Sequence, residues 1–330
     1  MHNLCCLSLA LKKQGFHHRA FRYTQFEKHD RPEALKILGE RVLENLTTTL
    51  KTMRFAYNNG WGYRISSTLF PLFNLDKANV CLQDLPNATL IDDIFDEIQH
   101  FVTGQSPKDF RISFHPDHFN VLCSENPEVV NRTINELDHH AWLLDRMAGE
   151  TSRNYWYPLN IHMSRSTGDP GTIAKEFITN YNKLPDRVRS RLVLENEDKG
   201  VWTASMLYEL IHKPTGIPIT FDNLHHKCNP GSLAEHQAFV MCYHTWIKHD
   251  VRPLFHYSEG GANKNPRAHT NFPVSCPVEY MHKHAINYQK YGVDWDVELK
   301  QKDYAITHLE ELEVKHDRRL AKLTTKTNKK

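Results

Sequence analysis

Short runs in which apolar and polar residues alternate recur along the chain, separated by longer stretches of helical periodicity. The stretch "FRISFHPDHFNVL", residues 110–122, shows the pattern: Phe110, Ile112 and Phe114 alternate with Arg111 and Ser113, and the run stops at His115-Pro116. The same reading predicts eight strands, at residues 3–10, 62–66, 110–115, 159–163, 192–196, 217–222, 253–257 and 293–299. Amphipathic stretches long enough for helices fill the gaps, at 32–58, 90–102, 127–147, 172–184, 204–212, 233–247 and 277–290. Helix punctuation agrees with the scheme. Ser124 or Asn126 caps a helix with Pro127 in its first turn, Ser232 caps another with Glu235 three residues on, and Gly60 follows a helix end.

Strand–helix alternation repeated eight times reads as a single-domain α/β protein, a TIM (β/α)8 barrel. The barrel is expected over residues 1–305, with 306–330 as a basic C-terminal helix or tail. An open doubly wound sheet is the alternative, but no glycine-rich phosphate loop follows the first strand.

In a barrel all C-terminal strand ends meet on one face, where active sites sit. Six consecutive predicted strands end on or just past a residue able to bind a divalent metal: His115, His162, Glu195, Asp222 with His225 three residues on, His256 and Glu298. Taken alone, a histidine at a strand end is ordinarily a hydrogen-bonded core residue, and a buried carboxylate an ion-pair partner. Several carboxylates aimed at one face would repel each other, and each costs several kcal/mol to bury without compensation. Bound cations account for the whole set. The ligands are too many for one ion and imply two or three. A cysteine-free set of His, Asp and Glu suits zinc or manganese, and oxygen-rich sites lean towards manganese. Such ions acidify a bound water from 15.7 to roughly 7 and steady both oxygens of an in-line displacement at phosphorus. Phosphodiester hydrolysis is therefore the first reading, and a sugar isomerase or epimerase of the same fold the competitor.

Composition narrows the setting. The 330 residues (38.6 kDa) are 40% hydrophobic and 24% charged, ordinary for a globular protein. There is no apolar run of membrane-spanning length, and the N-terminal apolar run has no basic residues before it, as a strand would and a signal peptide would not. Seven cysteines with no CxxC pair point to reduced thiols in the cytoplasm or another reducing compartment. The net charge of +2 does not by itself mark a nucleic-acid binder. Residues 313–330 carry seven Lys/Arg against two Asp/Glu, a tail that could touch a polyanion or simply be solvated. The 22 histidines are the anomaly, since histidine is the commonest metal ligand. His139, His140, His236, His244, His249, His282 and His284 fall on predicted helices and read as surface or packing residues.

The motifs "RISFHPDHFNVL", "NIHM", "VLENED", "FDNLHHKCNPG", "PLFHYSE" and "RAHTNF", with "GWGYRISSTLFPLF" and "PEVVNRTINELDHHAWLLDRM", resemble the UV damage endonuclease family. The resemblance runs in order through most of residues 1–300 and leaves out the tail after about 305. It implies a barrel related to endonuclease IV, with a three-ion cluster of manganese type; zinc or magnesium are the substitutes. It implies a single-chain enzyme acting on double-stranded DNA, nicking immediately 5′ of cyclobutane pyrimidine dimers and (6-4) photoproducts, and in many members at abasic sites. Carried over position by position, His115, His162, Glu195, Asp222, His225, His256 and Glu298 fall on family metal ligands, and His269 is added. Glu195 is then expected to bridge two ions, and His225 and His269 to hold the third. Glu195, Asp222 and Glu298 are the expected catalytic carboxylates. The family's duplex-probing pair falls on His118 and Phe119, and its DNA-contacting tyrosine and asparagine on Leu4 and Ser8. Arg64, at the end of the second strand, is expected on a phosphate.

Three departures stand out. Asp117 and His118 replace the glycine and glutamine of the family's HPGQ motif, so lesion reading differs or catalysis is weakened to damage binding. Leu254 stands where some members carry a lysine that can be carboxylated. The first strand begins at the chain start, with Leu4 and Ser8 at the contact positions.

Overall fold

The computed structural model describes residues 1–261, 265–273 and 292–327; the helix expected at 277–290 lies outside them. Among the described residues there are eight strands: β1 (His2–Cys5), β2 (Gly62–Ile65), β3 (Ile112–Phe114), β4 (Leu159–Ile161), β5 (Leu192–Glu195), β6 (Ile219–Thr220), β7 (Leu254–Tyr257) and β8 (Asp294–Val297). All pair in parallel, in the order β6-β5-β4-β3-β2-β1-β8-β7. The sheet closes on itself just past β6, where Asp222 bridges to His256 and the His256 amide donates to the Phe221 carbonyl at 3.0 Å. This is a TIM barrel, as the alternation implies.

The strands are short and almost wholly buried, as expected when both sheet faces are covered. β1 and β2 approach closely because position 62 is glycine: a Cβ there would lie 2.2 Å from the Asn3 Oδ1 and 2.8 Å from the Arg111 carbonyl. Three of the outer helices start on short polar caps followed by proline. Asp30 caps Arg31–Asn58, Asn126 caps Pro127–Ala148 and Asp169 caps Pro170–Tyr181. Two expectations of local structure, the end of the first strand and the cap at Ser232, differ from the structure. The first strand stops at Cys5; Cys6 turns the chain through a left-handed φ of 68°, and Ser8 caps a one-turn helix, Leu9–Lys13. Ser232 is not a cap: the helix Glu235–Ile247 starts after Ala234, whose amide is taken by Gln237 at 3.0 Å.

The base of the barrel is locked by charge. Arg111 is fully buried, donates to the Tyr155, Trp156 and Arg252 carbonyls at 2.6–2.8 Å, and pairs with Asp294 at 3.2 Å. Burial pulls its pKa down to about 10, with Asp294 pulling the other way, so it stays charged at neutral pH. Asp294 also meets Arg252 at 3.0 Å and the Met1 ammonium at 3.3 Å.

The boundary expected at residue 305 falls inside one helix, Lys302–Thr327. Ala305, Ile306 and Leu309 are buried in the main core, so the start of this helix packs as part of the fold. Asp303 receives the Leu9 and Ala10 amides at 2.5 and 3.1 Å, and Trp61 donates to Glu310 at 2.6 Å. His2, at the start of β1, lies 3.1 Å from Glu313 and 3.6 Å from Glu310.

Burial lowers the His2 pKa, but Glu310 and Glu313 outweigh it and the net shift is upward from 6.5. A raised folded-state pKa contributes stability in full below the unfolded value and loses it as pH rises through the folded one. His2→Gln is therefore expected to cost more stability at about pH 5.5 than at about pH 9 in urea denaturation. An equal loss at both would mean that His2 docks this helix by shape alone.

Candidate metal centre

The C-terminal strand ends converge on Glu195, the last residue of β5, whose side chain is 1% exposed. Its Oε2 lies 3.1 Å from His115 Nε2, 3.6 Å from His162 Nε2 and 3.0 Å from His256 Nδ1. Its Oε1 lies 3.0 Å from His225 Nδ1. Asn160, on β4, donates to Oε2 at 2.6 Å. These residues come from β4, β5, β7, the positions just past β3 and β4, and the short helix after β6 (Asn223–Cys228), brought together because parallel strands end at one level.

Ligand atoms fall into three groups, each within 4.8 Å: His115, His162 and Glu195; Glu195, Asp222 and His225; Asp222, His256 and Glu298. Glu195 and Asp222 are each shared by two groups, the arrangement that bridging carboxylates require. His269 stands outside all three, with its Nε2 3.8 Å from Glu298 Oε2. It reaches there because the chain folds back after β7, pairing Gly260 with His269. Only glycine fits at 260, where a Cβ would sit 2.0 Å from the Pro266 carbonyl.

The electrostatics reflect crowding of like charge. Burial alone would raise Glu195, but the imidazoles around it, His256 and His162 foremost, hold it well below the usual range. Burial raises Asp222. Burial would likewise raise Glu298, but Arg64 and His256 depress it. His162 is lowered to about 4 by burial. Burial opposes protonation of His225 and His256 too, yet Asp222 and Glu195 hold His225 well above its usual range. Glu195 and Glu298 bring His256 up to about 9. Within the chain, then, Arg64 and these two imidazoles carry the charge that three buried carboxylates require.

Divalent cations fit this donor set. Asp222 Oδ1 caps its own helix by accepting the His225 amide at 2.7 Å, whereas Oδ2 is buried and has no hydrogen-bond partner. Both ring nitrogens of His256 and Oδ1 of Asn160 are likewise buried without one. Orphaned buried polar atoms are rare and costly, and here those of Asp222 and His256 fall among the ligand groups.

The expected DNA-contacting residues divide. His118 and Phe119 are exposed on the loop after β3, Phe119 to 70%, with ring centroids 4.3 Å apart. Asn120 anchors the loop by donating its amide and side chain to the Asp117 carbonyl at 3.1 and 2.8 Å. Arg64 is instead buried in the mouth, paired with Glu298 and 3.5 Å from Asp296. Its charge is spent on carboxylates, not presented to a phosphate. Ser8 is buried and its hydroxyl accepts the Leu11 amide at 3.2 Å; Leu4 is fully buried.

Sequence reasoning missed several residues of the mouth. Asn160 holds Glu195. Glu197, buried and raised to about 7 by burial, accepts the Ser164 amide at 2.6 Å. Asp296 touches both Arg64 and His256. The available signal was the period of two: Asn160 precedes His162 by two, Glu197 follows Glu195 by two, and Asp296 precedes Glu298 by two.

A closed barrel of eight parallel strands with imidazoles and carboxylates gathered at its C-terminal mouth defines a TIM-barrel protein equipped to hold divalent metal. The chain belongs to the UV-endonuclease UvdE family, whose model matches residues 3–327. That match takes in the C-terminal helix, beyond the limit near 305 set by the motifs. The chain is 27% identical to the UV DNA damage endonuclease of Bacillus cereus (strain B4264) over 300 residues, 88% of this chain and 87% of that protein. It is 28% identical to the UV DNA damage endonuclease of Nostoc sp. (strain PCC 7120) over 312 residues, 93% of this chain and 88% of the relative. The crystal structure of SacUVDE superposes with a TM-score of 0.75 at 27% identity, covering 94% of this chain and 98% of that one. Endonuclease IV from Thermus thermophilus shares the fold, with a TM-score of 0.52 at 13% identity over 80% of this chain and 93% of the other.

A ligand that binds only the folded state raises its stability by about 2.7 kcal/mol at a hundred times Kd. Manganese is expected to raise the melting temperature of the chelator-treated protein, and Glu195→Gln to remove most of that rise. A rise of full size in the variant would place the ions elsewhere.

Proposed function

We propose that the protein is a metal-dependent DNA repair endonuclease. In this reading it hydrolyses the phosphodiester immediately 5′ of cyclobutane dimers and (6-4) photoproducts in double-stranded DNA, and cuts at abasic sites. The observation that carries the reading is the pairing of three shared-carboxylate ligand groups with an exposed aromatic pair three residues beyond His115. Membership of the UvdE family, and relatives named UV DNA damage endonucleases, support it.

His115, His162, Glu195, Asp222, His225, His256, Glu298 and His269 would hold divalent ions, manganese foremost, whose chemistry is to acidify a bound water and neutralise charge at phosphorus. The chain's own residues do the rest. Glu195 and Asp222, shared between groups, fix the spacing of the site and with Glu298 are the catalytic carboxylates. Arg64 holds Glu298 ionised at the rim. Asn160 orients the Glu195 carboxylate through Oε2. Phe119, already exposed, enters the space left by flipped nucleotides and restores stacking, with His118 packed against it. Flipping costs a few kcal/mol, less for a lesion whose stacking is already weak, and aromatic stacking returns about 1–3 kcal/mol per base. Asp117 places a negative charge next to this probe.

The deciding assay is nicking of a duplex with one cyclobutane dimer, and of one with an abasic site, in manganese. Cutting at the 5′ side of the dimer is expected, falling by more than about 100-fold in Glu195→Gln. Tight lesion binding without cutting in the wild type would make the protein a damage-binding relative; neither binding nor cutting would end the proposal. Phe119→Ala is expected to lose about 1–3 kcal/mol of lesion affinity while leaving manganese affinity unchanged. Asp117→Asn should tighten DNA binding, and the gain should shrink as salt rises; a salt-independent gain would mean that Asp117 acts by shaping the loop.

A further inference from the structure

Asp296 lies in the mouth but, like Glu197, outside the ligand set. Asp296 is 1% exposed on β8 and is the register partner of His256 on β7 and of Asn3 on β1. Its Oδ2 lies 3.5 Å from His256 Nε2 and 3.5 Å from the Arg64 guanidinium. Asn3 donates to Oδ1 at 2.9 Å, and the glycine at 62, beside Asn3 in the sheet, leaves room for that amide. The opposite nitrogen of His256, Nδ1, faces Glu195 at 3.0 Å and Glu298 at 3.4 Å.

We propose that Asp296 is a positioning residue for the metal centre: it draws the His256 proton to Nε2 and so presents the Nδ1 lone pair to a cation. This rests on the ligand reading above. A neutral imidazole carries one proton on one of two nitrogens, and a ligating histidine ordinarily gives its other nitrogen a carboxylate or carbonyl. His256 makes no well-aligned hydrogen bond at either nitrogen, so the charges facing the ring decide. Those on the Nδ1 side belong to the ligand set and turn to cations. Asp296 does not, and Asn3 and Arg64 hold it beneath the ring. Leu254, two residues before His256 on the same face of β7, is buried and carries no charge. The anion below His256 therefore comes from the neighbouring strand.

The test titrates chelator-treated protein with manganese and compares wild type, Asp296→Asn and Asp294→Asn. Asp296→Asn is expected to bind manganese about 10- to 100-fold more weakly. Asp294→Asn, altered at the barrel base on the same strand, is expected to melt earlier yet bind manganese as the wild type does. A second measurement needs no variant: long-range ¹H–¹⁵N spectra of the zinc-loaded wild type should show the His256 proton on Nε2. Unchanged manganese affinity in Asp296→Asn, or a proton on Nδ1 in the wild type, would overturn the assignment of Asp296 and leave the ligand set standing. A wild type that takes up no ion would overturn both.

Discussion

A carboxylate that is 1% exposed cannot keep its charge unless something nearby balances it. Glu195 is that carboxylate, and the mouth of the barrel is organised around it. His115, His162, His225 and His256 each come within 3.6 Å of its oxygens, and Asn160 donates to one of them. Two further carboxylates, Asp222 and Glu298, crowd the same space and raise the demand for positive charge. Protons and one arginine satisfy it only in part, since Asp222 Oδ2 remains buried without a donor. A pair of shared carboxylates among four imidazoles suits divalent cations far better than it suits protons.

The barrel's closure and this centre are the same piece of structure. β6 has only two residues, the shortest strand, and no ladder joins it to β7. What completes the ring is the backbone bridge between Asp222 and His256. Both residues also belong to the third ligand group, so cations there would tie the seam from the side-chain side as well. Asp222 serves a third purpose as the cap of the helix Asn223–Cys228, which fixes His225 one turn on. One residue thus bridges the seam, starts a helix and positions two of the candidate ligands.

Much of this was legible in the sequence because strand ends announce themselves. Alternation locates each strand, and the first polar residue after it faces the mouth, which is how His115, Glu195 and Glu298 can be read without coordinates. Three kinds of information are not carried by alternation. Where β1 ends depends on a left-handed turn at Cys6, a conformation no local pattern favours at cysteine, and so Ser8 reads as a contact when it is a helix cap. What an arginine pairs with depends on residues far away in sequence: Arg64 meets Glu298, 234 residues on, and so is an internal counter-charge. Whether a basic tail is part of the fold depends on its first turns, where Ala305, Ile306 and Leu309 bury themselves before the charged run begins.

The two ends of the barrel divide the energetic work. At the base, Arg111 and Asp294 are both fully buried, but each has its partners: three carbonyls for the arginine, Arg252 and the N-terminal ammonium for the aspartate. There two arginines and an ammonium offset the buried carboxylate within the protein itself, and the network ties strands from opposite ends of the chain together. At the mouth, Asp222 Oδ2 and both nitrogens of His256 are left without a hydrogen-bond partner, and a donor set of that kind suits divalent cations. The aromatic pair beyond His115 follows a third rule: Phe119 exposes its ring to water and packs against His118. Replacing it would remove little core packing, so residues at 117–119 can vary without disturbing the barrel. Of the departures from the family pattern, Asp117 and His118 lie on that loop, whereas Leu4, Ser8 and Leu254 are buried in the barrel and must also satisfy its packing.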